Sequence, residues 1–347
     1  VRRFARAQRE TLCELELELD PGVVLGHRHI PVEAVGAYVP GGRYPMLASS
    51  FMTILVAKEA GVERVVSCAP PQRGVGMHPA MVYAMKTSGA DEVLALGGVQ
   101  ALAAMAFGLI DGVEPVDMLV GAGNAYVAEA KRQLFGRVGI DLLAGPTEVL
   151  VIADDSADPR LVAADLLGQA EHGPSSPAGL IAIGEDVGRA VAAQVEELLG
   201  DWPTADVAGA AWRDHGWIAV VEDDDGAIAL ADEAANEHLE VHVQEAKLDA
   251  YRDRLRSFGS LFLGEQATVA YGDKAVGTNH VLPTSRAARY TGGLWVGKFL
   301  KTCTYQRLTE EGTRRIAPAV EAISLAENFA GHALTARMRL ERLGATR

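Results

Sequence analysis

The feature that most constrains the fold is an alternation of short, apolar, β-branched runs with longer helical patterns. RVVSCAPP, EVLALGG and DMLVGAGN have the length and composition of strands, and each ends close to Gly or Pro. Between them, MHPAMVYAMKTSGA and VQALAAMAFGLI carry helical periodicity. Strands that alternate with helices are typical of parallel sheets. The first half of the chain is therefore predicted to be an α/β unit.

A second set of strand-like runs follows: EVLVIADD, AGLIAIG, WIAVV and LFLG. These alternate with helical segments such as DPRLVAADLLGQAEH, which predicts a second α/β half with a boundary near GPTE at 145–148. From about Trp295 onward we expect helices and no strands. The predicted fold class is thus α/β, with two parallel-rich halves and a helical C-terminal tail.

Composition narrows the possible partners. The 347 residues carry a net charge of -14 and show no cluster of Lys and Arg, which argues against a nucleic-acid or anionic-membrane surface and favours small molecules. No apolar run approaches the length of a membrane span. Cys13, Cys68 and Cys303 are scattered, without metal or disulfide spacing, as suits a reducing cytosol. We therefore predict a cytoplasmic protein without membrane or nucleic-acid partners.

Several polar residues could converge on a metal ion. Gln169 and His172 in GQAEHG are three positions apart after a helical pattern, although such a pair taken alone is more often a solvated helix tip. Further N and O donors occur in GDKAVGTNH and AENFAGHA, namely Asp273, His280, Glu327 and His332. A donor set without thiolates suits Zn²⁺ or Mn²⁺.

Other polar residues suggest acid–base chemistry and a nucleotide. Glu237 and His238 in NEHLEVHV are an adjacent acid and base, although such pairs are common on solvated loops. Tyr38 before a Gly-Gly turn and the Gly-flanked Asn124 could both border a nucleotide. Neither belongs to a GxGxxG fingerprint. These residues by themselves indicate an α/β enzyme that could depend on a metal.

The run IDLLAGPTEVLVIADDSADPRLVAADLLGQAEH, residues 140–172, resembles the signature segment of the histidinol dehydrogenase family and departs from it at Gly168. The likeness continues in order through YVPGGRYP, GGVQA, GNAYVAEAKR, NEHLE and GDKAVGTNHVLPT, and it covers nearly the whole chain. By the typical length of that family, a preceding segment of roughly eighty or ninety residues is expected.

The resemblance implies a fold of two incomplete Rossmann-like domains and an intertwined homodimer with shared active sites. One domain would comprise 1–37 and 149–294 and carry the metal and catalytic residues, and 38–148 would bind NAD. Residues 295–347 would form a helical dimerisation tail that contributes to the partner subunit's site.

The resemblance also implies roles for individual residues. Zn²⁺ would be bound by Gln169, His172, Asp273 and, from the partner subunit, His332. NAD would contact Tyr38, Gln100 and Asn124. Glu237 and His238 would move protons during oxidation of a primary alcohol through an aldehyde to a carboxylate, with two NAD⁺ used in succession. Ala122, where the family usually has Pro, is expected to loosen a turn near the cofactor.

Substrate identity is left with alternatives. QAEHGPSSPA and ARYTGGLWVGKF resemble the sulfopropanediol 3-dehydrogenases more than the biosynthetic enzymes, which indicates oxidation of 2,3-dihydroxypropane-1-sulfonate to sulfolactate. Lys274, where histidinol enzymes usually have Tyr, is the first candidate to meet the sulfonate. Thr147, His280 and Glu327 are the other predicted substrate residues, and a retained Glu327 fits histidinol better. The alternatives are histidinol dehydrogenase and a non-catalytic or fragmentary paralogue that only binds or dimerises.

Overall fold

The computed structural model describes residues 1–42, 44–72 and 76–344. Its strands are β1 (Leu15–Asp20), β2 (Val23–Pro31), β3 (Ala34–Tyr38), β4 (Arg64–Cys68), β5 (Glu92–Leu94), β6 (Met118–Val120), β7 (Gly139–Ile140), β8 (Val149–Ala153), β9 (Ala178–Ile183), β10 (Gly216–Val221), β11 (His238–His242), β12 (Ser260–Leu263) and β13 (Leu300–Leu308).

The α-helices are α1 (Arg2–Glu10), α2 (Leu47–Ser50), α3 (Val56–Ala60), α4 (Pro79–Ser88), α5 (Val99–Phe107), α6 (Ala125–Leu134), α7 (Pro159–Ala170), α8 (Glu185–Leu199), α9 (Ala205–His215), α10 (Asp224–Ala234), α11 (Leu248–Arg254), α12 (Val269–Lys274), α13 (Glu310–Ala326) and α14 (Ala330–Arg342). A π-helical turn, Phe51–Leu55, joins α2 to α3. Short 3₁₀ turns occupy Glu245–Lys247, Ala287–Arg289 and Val296–Phe299. No helix in the described ranges is both long and apolar enough to cross a bilayer.

The chain divides into two compact units. The larger comprises Val1–Arg9 and Val32–Phe299, and the smaller comprises Glu10–Pro31 and Leu300–Arg347. Two five-stranded parallel sheets form the larger unit, in the orders β5-β4-β3-β6-β7 and β10-β9-β8-β11-β12. These sheets, together with the C-terminal helices, confirm the predicted fold class. The first sheet begins at Ala34, a few residues before the predicted boundary at 38. The division into 1–37 with 149–294, 38–148 and 295–347 otherwise stays a prediction.

The second sheet is covered by helices on both faces. All five residues of β8 are buried, and alternate positions point to opposite sides. Val149 and Val151 pack in one apolar cluster with α7, while Leu150 and Ile152 pack in another with α10. Burial on both sides explains why VLVIA reads as a continuous apolar run instead of an alternating one.

The smaller unit contains an antiparallel sheet in the order β1-β2-β13. Leu300–Leu308 is a strand, so the expectation that the chain lacks strands after Trp295 was wrong, although α13 and α14 confirm that helices follow. Thr302 pairs with His29, a partner far away along the chain, and most of β13 is exposed. A strand whose pairing is nonlocal and whose inner face is not apolar gives little signal in the sequence. Residues 345–347 of the predicted tail lie outside the described ranges.

Candidate functional site

The candidate site lies at the side of the second sheet where its parallel strands begin, which we call the amino edge. Thr147 and Glu148 directly precede β8, Glu237 directly precedes β11, and the two strands are parallel neighbours in which His238 pairs with Val149. Helix α7 follows β8 and returns to the same edge, because a crossover helix runs antiparallel to its strands. Ligands of open α/β sheets usually bind beyond the carboxyl ends of the strands. The location at the opposite edge was not predicted from the strand pattern.

Helix α7 brings Gln169 to this edge. Its first turn is fixed by Asp158, whose side chain accepts from the Arg160 N–H at 2.8 Å, and by Pro159 in the first helical position. The helix ends at Ala170, so Gln169 is helical and buried while His172 lies just beyond the end.

His238 is a buried base in which one ring nitrogen is hydrogen-bonded and the other is not, among the described residues. Its Nδ1 lies 3.0 Å from the backbone carbonyl oxygen of Glu148, which can only accept, so Nδ1 carries the proton in the neutral ring. The Nε2 atom is buried and has no hydrogen-bond partner in the described part of the chain, and it lies 3.9 Å from Asp273 Oδ1. Burial by itself would lower the pKa of His238. The charge of Glu237, the hydrogen bond between the His238 and Glu237 side chains, and the charge of Asp273 outweigh burial and raise the pKa to about 9.

Glu237 ends a chain of side-chain hydrogen bonds. The Gln169 amide donates to Thr147 Oγ1 at 2.6 Å, and the Thr147 hydroxyl donates to Glu237 Oε2 at 2.5 Å. Glu237 is only 5% exposed, so the solvated-loop interpretation of the Glu-His pair was wrong. The sequence pattern did not reveal that NEHLEVH enters a central, fully buried strand.

Glu148 is a third carboxyl group at the site, which the sequence analysis missed. Burial, followed by the nearby charge of Glu237, raises the pKa of Glu148 to about 7. Its only sequence signal was its position beside Thr147 in GPTE, immediately before a buried strand.

The donor set at this edge fits Zn²⁺. His172 Nδ1 lies 3.2 Å from the backbone carbonyl of Gln169, and this contact places the proton on Nδ1 and leaves the Nε2 lone pair for a metal. Asp273, in α12, is 6% exposed and adjoins the unpartnered Nε2 of His238. Gln169 supplies an amide within 3.4 Å of the same ring. Imidazole and oxygen donors are appropriate for zinc.

Two predicted substrate residues of the larger unit, Lys274 and His280, lie beside Asp273. Lys274 ends α12 with an exposed side chain, and its Nζ is 3.7 Å from Asp273 Oδ2. His280 is nearly buried, with Nδ1 3.3 Å from the Asp273 carbonyl oxygen and Nε2 3.1 Å from Ser49 Oγ. Burial lowers the pKa of His280 despite the charge of Asp273. Ser49 was missed by the sequence analysis, because nothing near it suggested a contact with residue 280.

Glu327 and His332 belong to the smaller unit. Glu327 follows α13, and His332 lies in the first turn of α14 with its ring 5.3 Å from that of Phe329. Both residues are exposed. Their predicted role in a shared active site stays a prediction.

The predicted NAD residues occupy the side of the first sheet where its parallel strands end, the carboxyl edge. Tyr38 ends β3, and its hydroxyl oxygen accepts from the Gly98 N–H at 3.2 Å. Gln100 is exposed in the first turn of α5, which follows β5. Asn124 caps α6, and its Oδ1 accepts from Tyr126 N–H and Val127 N–H at 3.1 Å each. Between β3 and β6 the strand order reverses, and this is where open α/β sheets bind nucleotides.

A second polar cluster is formed by Asp165 of α7 and by Glu240 and His242 of β11. One ligand atom of each residue lies within 4.8 Å of the others, so the group could hold a metal, although it is not the predicted zinc set. His238, Glu240 and His242 alternate along β11 and therefore share one face. Glu240 Oε1 accepts from the Val269 N–H at 2.8 Å, and Thr268 Oγ1 donates to Asp165 Oδ1 at 2.8 Å. These bonds fix the start of α12, which carries Asp273.

A cavity of about 500 Å³ lies beside the loop that contains Thr278 and Asn279. Phe4, Trp295 and Lys298 are also among its lining residues. None of the predicted catalytic, zinc or NAD residues lines it.

Comparisons with known proteins converge on one family. Residues 1–340 match the family model described as histidinol dehydrogenase. The chain is 55% identical over 344 residues to a histidinol dehydrogenase homolog of Shouchella clausii, covering 99% of this chain and 80% of the relative. It is 51% identical over 342 residues to the sulfopropanediol 3-dehydrogenase of Ruegeria pomeroyi, and this match covers 98% of this chain and 78% of the relative. The crystal structure of histidinol dehydrogenase from Elizabethkingia anophelis superposes with a TM-score of 0.94 at 35% identity, and the match covers 99% of this chain and 78% of that protein.

Proposed function

Since this chain belongs to the histidinol dehydrogenase family of NAD-dependent oxidoreductases, we propose that it oxidises a primary alcohol through an aldehyde to a carboxylate. Two NAD⁺ would be used in succession, with Zn²⁺ as the metal. The observation that carries this proposal is the state of His238, a buried imidazole whose Nδ1 is bonded and whose Nε2 is unpartnered beside Asp273.

His238 is the proposed base for the alcohol proton. In the neutral ring, which predominates above the raised pKa of about 9, the Glu148 carbonyl retains the proton on Nδ1, and the Nε2 lone pair is available to accept the alcohol proton as hydride leaves for the nicotinamide. Burial excludes water, which would otherwise compete for Nε2. In the second oxidation, Glu237 would activate the water that hydrates the aldehyde, and the Thr147 hydroxyl holds its Oε2 in place.

Gln169, His172 and Asp273 are the proposed zinc ligands in this chain, with His332 of the partner subunit as the fourth. When bound, Zn²⁺ would orient and polarise the substrate oxygen. The two subunits would thus form a homodimer with shared sites, in which Glu327 also reaches the partner's substrate. Tyr38, Gln100 and Asn124 are the proposed NAD contacts. Cytoplasmic localisation stays a prediction.

The proposed substrate is 2,3-dihydroxypropane-1-sulfonate, and its product is sulfolactate. The 51% identity to a relative named sulfopropanediol 3-dehydrogenase supports this choice. A sulfonate is permanently anionic and needs a cationic partner. Lys274 offers an exposed ammonium group directly beside the proposed zinc ligand Asp273. Thr147 would contact the reacting part of the substrate.

Histidinol is the second candidate substrate, and Glu327 is the observation that favours it. A carboxylate from the partner subunit would suit the amine of histidinol and be a poor neighbour for a sulfonate. A paralogue that only binds or dimerises is the third candidate.

The test is NADH formation by the zinc-loaded protein with the sulfonate diol and, separately, with histidinol. We expect turnover of the sulfonate, loss of it in Lys274→Tyr, and retention in Lys274→Arg, which keeps the positive charge. Turnover of histidinol alone would overturn the substrate proposal. No NADH from either substrate, together with no bound zinc, would favour the non-catalytic paralogue.

A further inference from the structure

Ser49 joins two segments of the larger unit that are remote in sequence. It lies at 4% exposure in α2, which follows β3 of the first sheet. Its Oγ is 3.1 Å from Nε2 of His280, a residue 231 positions away in the loop after α12. The bond therefore connects the sheet that carries the proposed NAD residues to the loop beside the proposed zinc ligands.

The direction of this hydrogen bond follows from the other nitrogen of the ring. His280 Nδ1 lies 3.3 Å from the backbone carbonyl oxygen of Asp273, which has no proton to give. In the neutral ring Nδ1 must therefore carry the proton, and Nε2 must accept. The Ser49 hydroxyl is then the donor to Nε2.

A second bond ties the same two segments together. The side-chain amide of Asn279 donates to the backbone carbonyl of Met52 at 2.7 Å. Met52 lies in the π-helical turn Phe51–Leu55, and such turns frequently occur at functional sites. Consecutive loop residues, 279 and 280, are thus held by consecutive parts of the segment 47–55.

We propose that Ser49 is a positioning residue of the substrate site, which acts together with the Asp273 carbonyl to fix the orientation of His280 and its Nδ1–H tautomer. The inference rests on the proposed function only in assigning His280 to the substrate site. In this tautomer the only N–H of the ring is used by the Asp273 carbonyl and the only lone pair accepts from Ser49, so His280 cannot donate to an anionic oxygen of the substrate. The anionic end of the substrate must then meet another group, such as Lys274.

The experiment compares Ser49→Ala with Ser49→Thr, which keeps the hydroxyl, and with Ser50→Ala as the matched control. Ser50 is the adjacent residue, is fully buried, and has no partner for its hydroxyl in the described ranges. The full-length, zinc-loaded protein is labelled with ¹⁵N-histidine, and the His280 ring signals are assigned by their loss in His280→Gln. The ring nitrogen shifts report the tautomer directly, which a merely structural contribution of Ser49 would not change.

We expect a single Nδ1–H tautomer in the wild type, Ser49→Thr and Ser50→Ala, and a mixture in Ser49→Ala. With the sulfonate diol, or histidinol if that is the substrate turned over, KM should rise about five- to tenfold in Ser49→Ala alone, as expected for one lost hydrogen bond, with little change in kcat. If Ser49→Ala fails to fold, Ser49→Cys, a much weaker donor of similar size, replaces it and should show the same mixture.

An unchanged tautomer in Ser49→Ala, or the same changes in Ser50→Ala, would overturn the proposal. The tautomer measurement needs no turnover. A wild-type protein without dehydrogenase activity would contradict the proposed function and leave this measurement as an independent test.

Discussion

Glu148 and Glu237 are joined by two reciprocal hydrogen bonds from backbone to side chain. The backbone N–H of Glu148 donates to Oε2 of Glu237 at 3.0 Å, and the backbone N–H of Glu237 donates to Oε1 of Glu148 at 3.3 Å. Two carboxyl groups are thereby held together at the amino ends of neighbouring strands, and the carbonyl of Glu148 also holds His238. Glu148 contacts both proposed catalytic residues although no motif pointed to it.

Replacing Glu148 with Gln should remove an ionisation from the pH profile. The pKa of Glu148 is raised to about 7, so its charge appears as the pH rises through neutrality. That charge favours the protonated form of His238, whereas Gln keeps an acceptor for the Glu237 N–H without titrating. We expect an inflection of kcat/KM near pH 7 that is absent in Glu148→Gln, with the acid limb moved to lower pH. An inflection that persists in the variant would contradict the assignment.

The Thr147 hydroxyl should matter more than the volume of its side chain. It accepts from Gln169 and donates to Glu237, so Thr147→Val breaks two hydrogen bonds while preserving shape. We expect kcat to fall by about tenfold or more, because the lost hydrogen bond to the Glu237 carboxylate alone corresponds to roughly 1.5–3 kcal/mol. Thr147→Ser is the control and should retain most activity. Equal losses in both variants would indicate that packing of the methyl group, and not the hydrogen bonds, is responsible.

Removal of one partner from the buried ion pair between Lys131 and Asp141 should strongly destabilise the fold. Lys131 is 2% exposed and also donates to the Gly121 carbonyl at 3.0 Å, next to the loop that ends at Asn124. Lys131→Met leaves Asp141 buried without a counter-ion and should lower the free energy of unfolding by about 3–5 kcal/mol, measured with urea. Arg132→Met, which breaks an exposed pair with Glu129 on the same helix, should change the free energy of unfolding far less. Similar losses in the two variants would refute this account.

Asp165 should make the protein less stable as the pH rises from about 4 to about 7. Burial, then the charge of Glu240, raises its pKa to about 7, so the folded state binds the proton more tightly than the unfolded state. The contribution is absent below the unfolded pKa and becomes fully unfavourable above the folded pKa. Asp165→Asn retains an acceptor for Thr268, and its melting temperature relative to wild type should increase between pH 5 and pH 8. The exposed Asp186→Asn is the control, and a flat difference for Asp165→Asn would contradict the prediction.

The sequence by itself determined the local chemistry and the fold class. Apolar periodicity depends on near neighbours, so most strands of the two parallel sheets, though not β3, β7 or β11, could be predicted from runs such as RVVSC and VLVIA. The candidate residues could be predicted because they lie in contiguous motifs. Gln169, Glu237 and His238 proved to be buried, and His238 contacts both of the others, even though each alone could have been a solvated side chain.

Only the tertiary structure decided which segments meet. The pairing of β2 with β13, the bond between Ser49 and His280, and the position of the site at the amino edge of the second sheet join residues that are distant in the chain. Such contacts depend on strand order and helix return, which local periodicity does not encode. The same residue types in the same motifs acquire their protonation and hydrogen-bond partners only when burial removes water and brings a particular neighbour, as Glu148 shows beside Glu237.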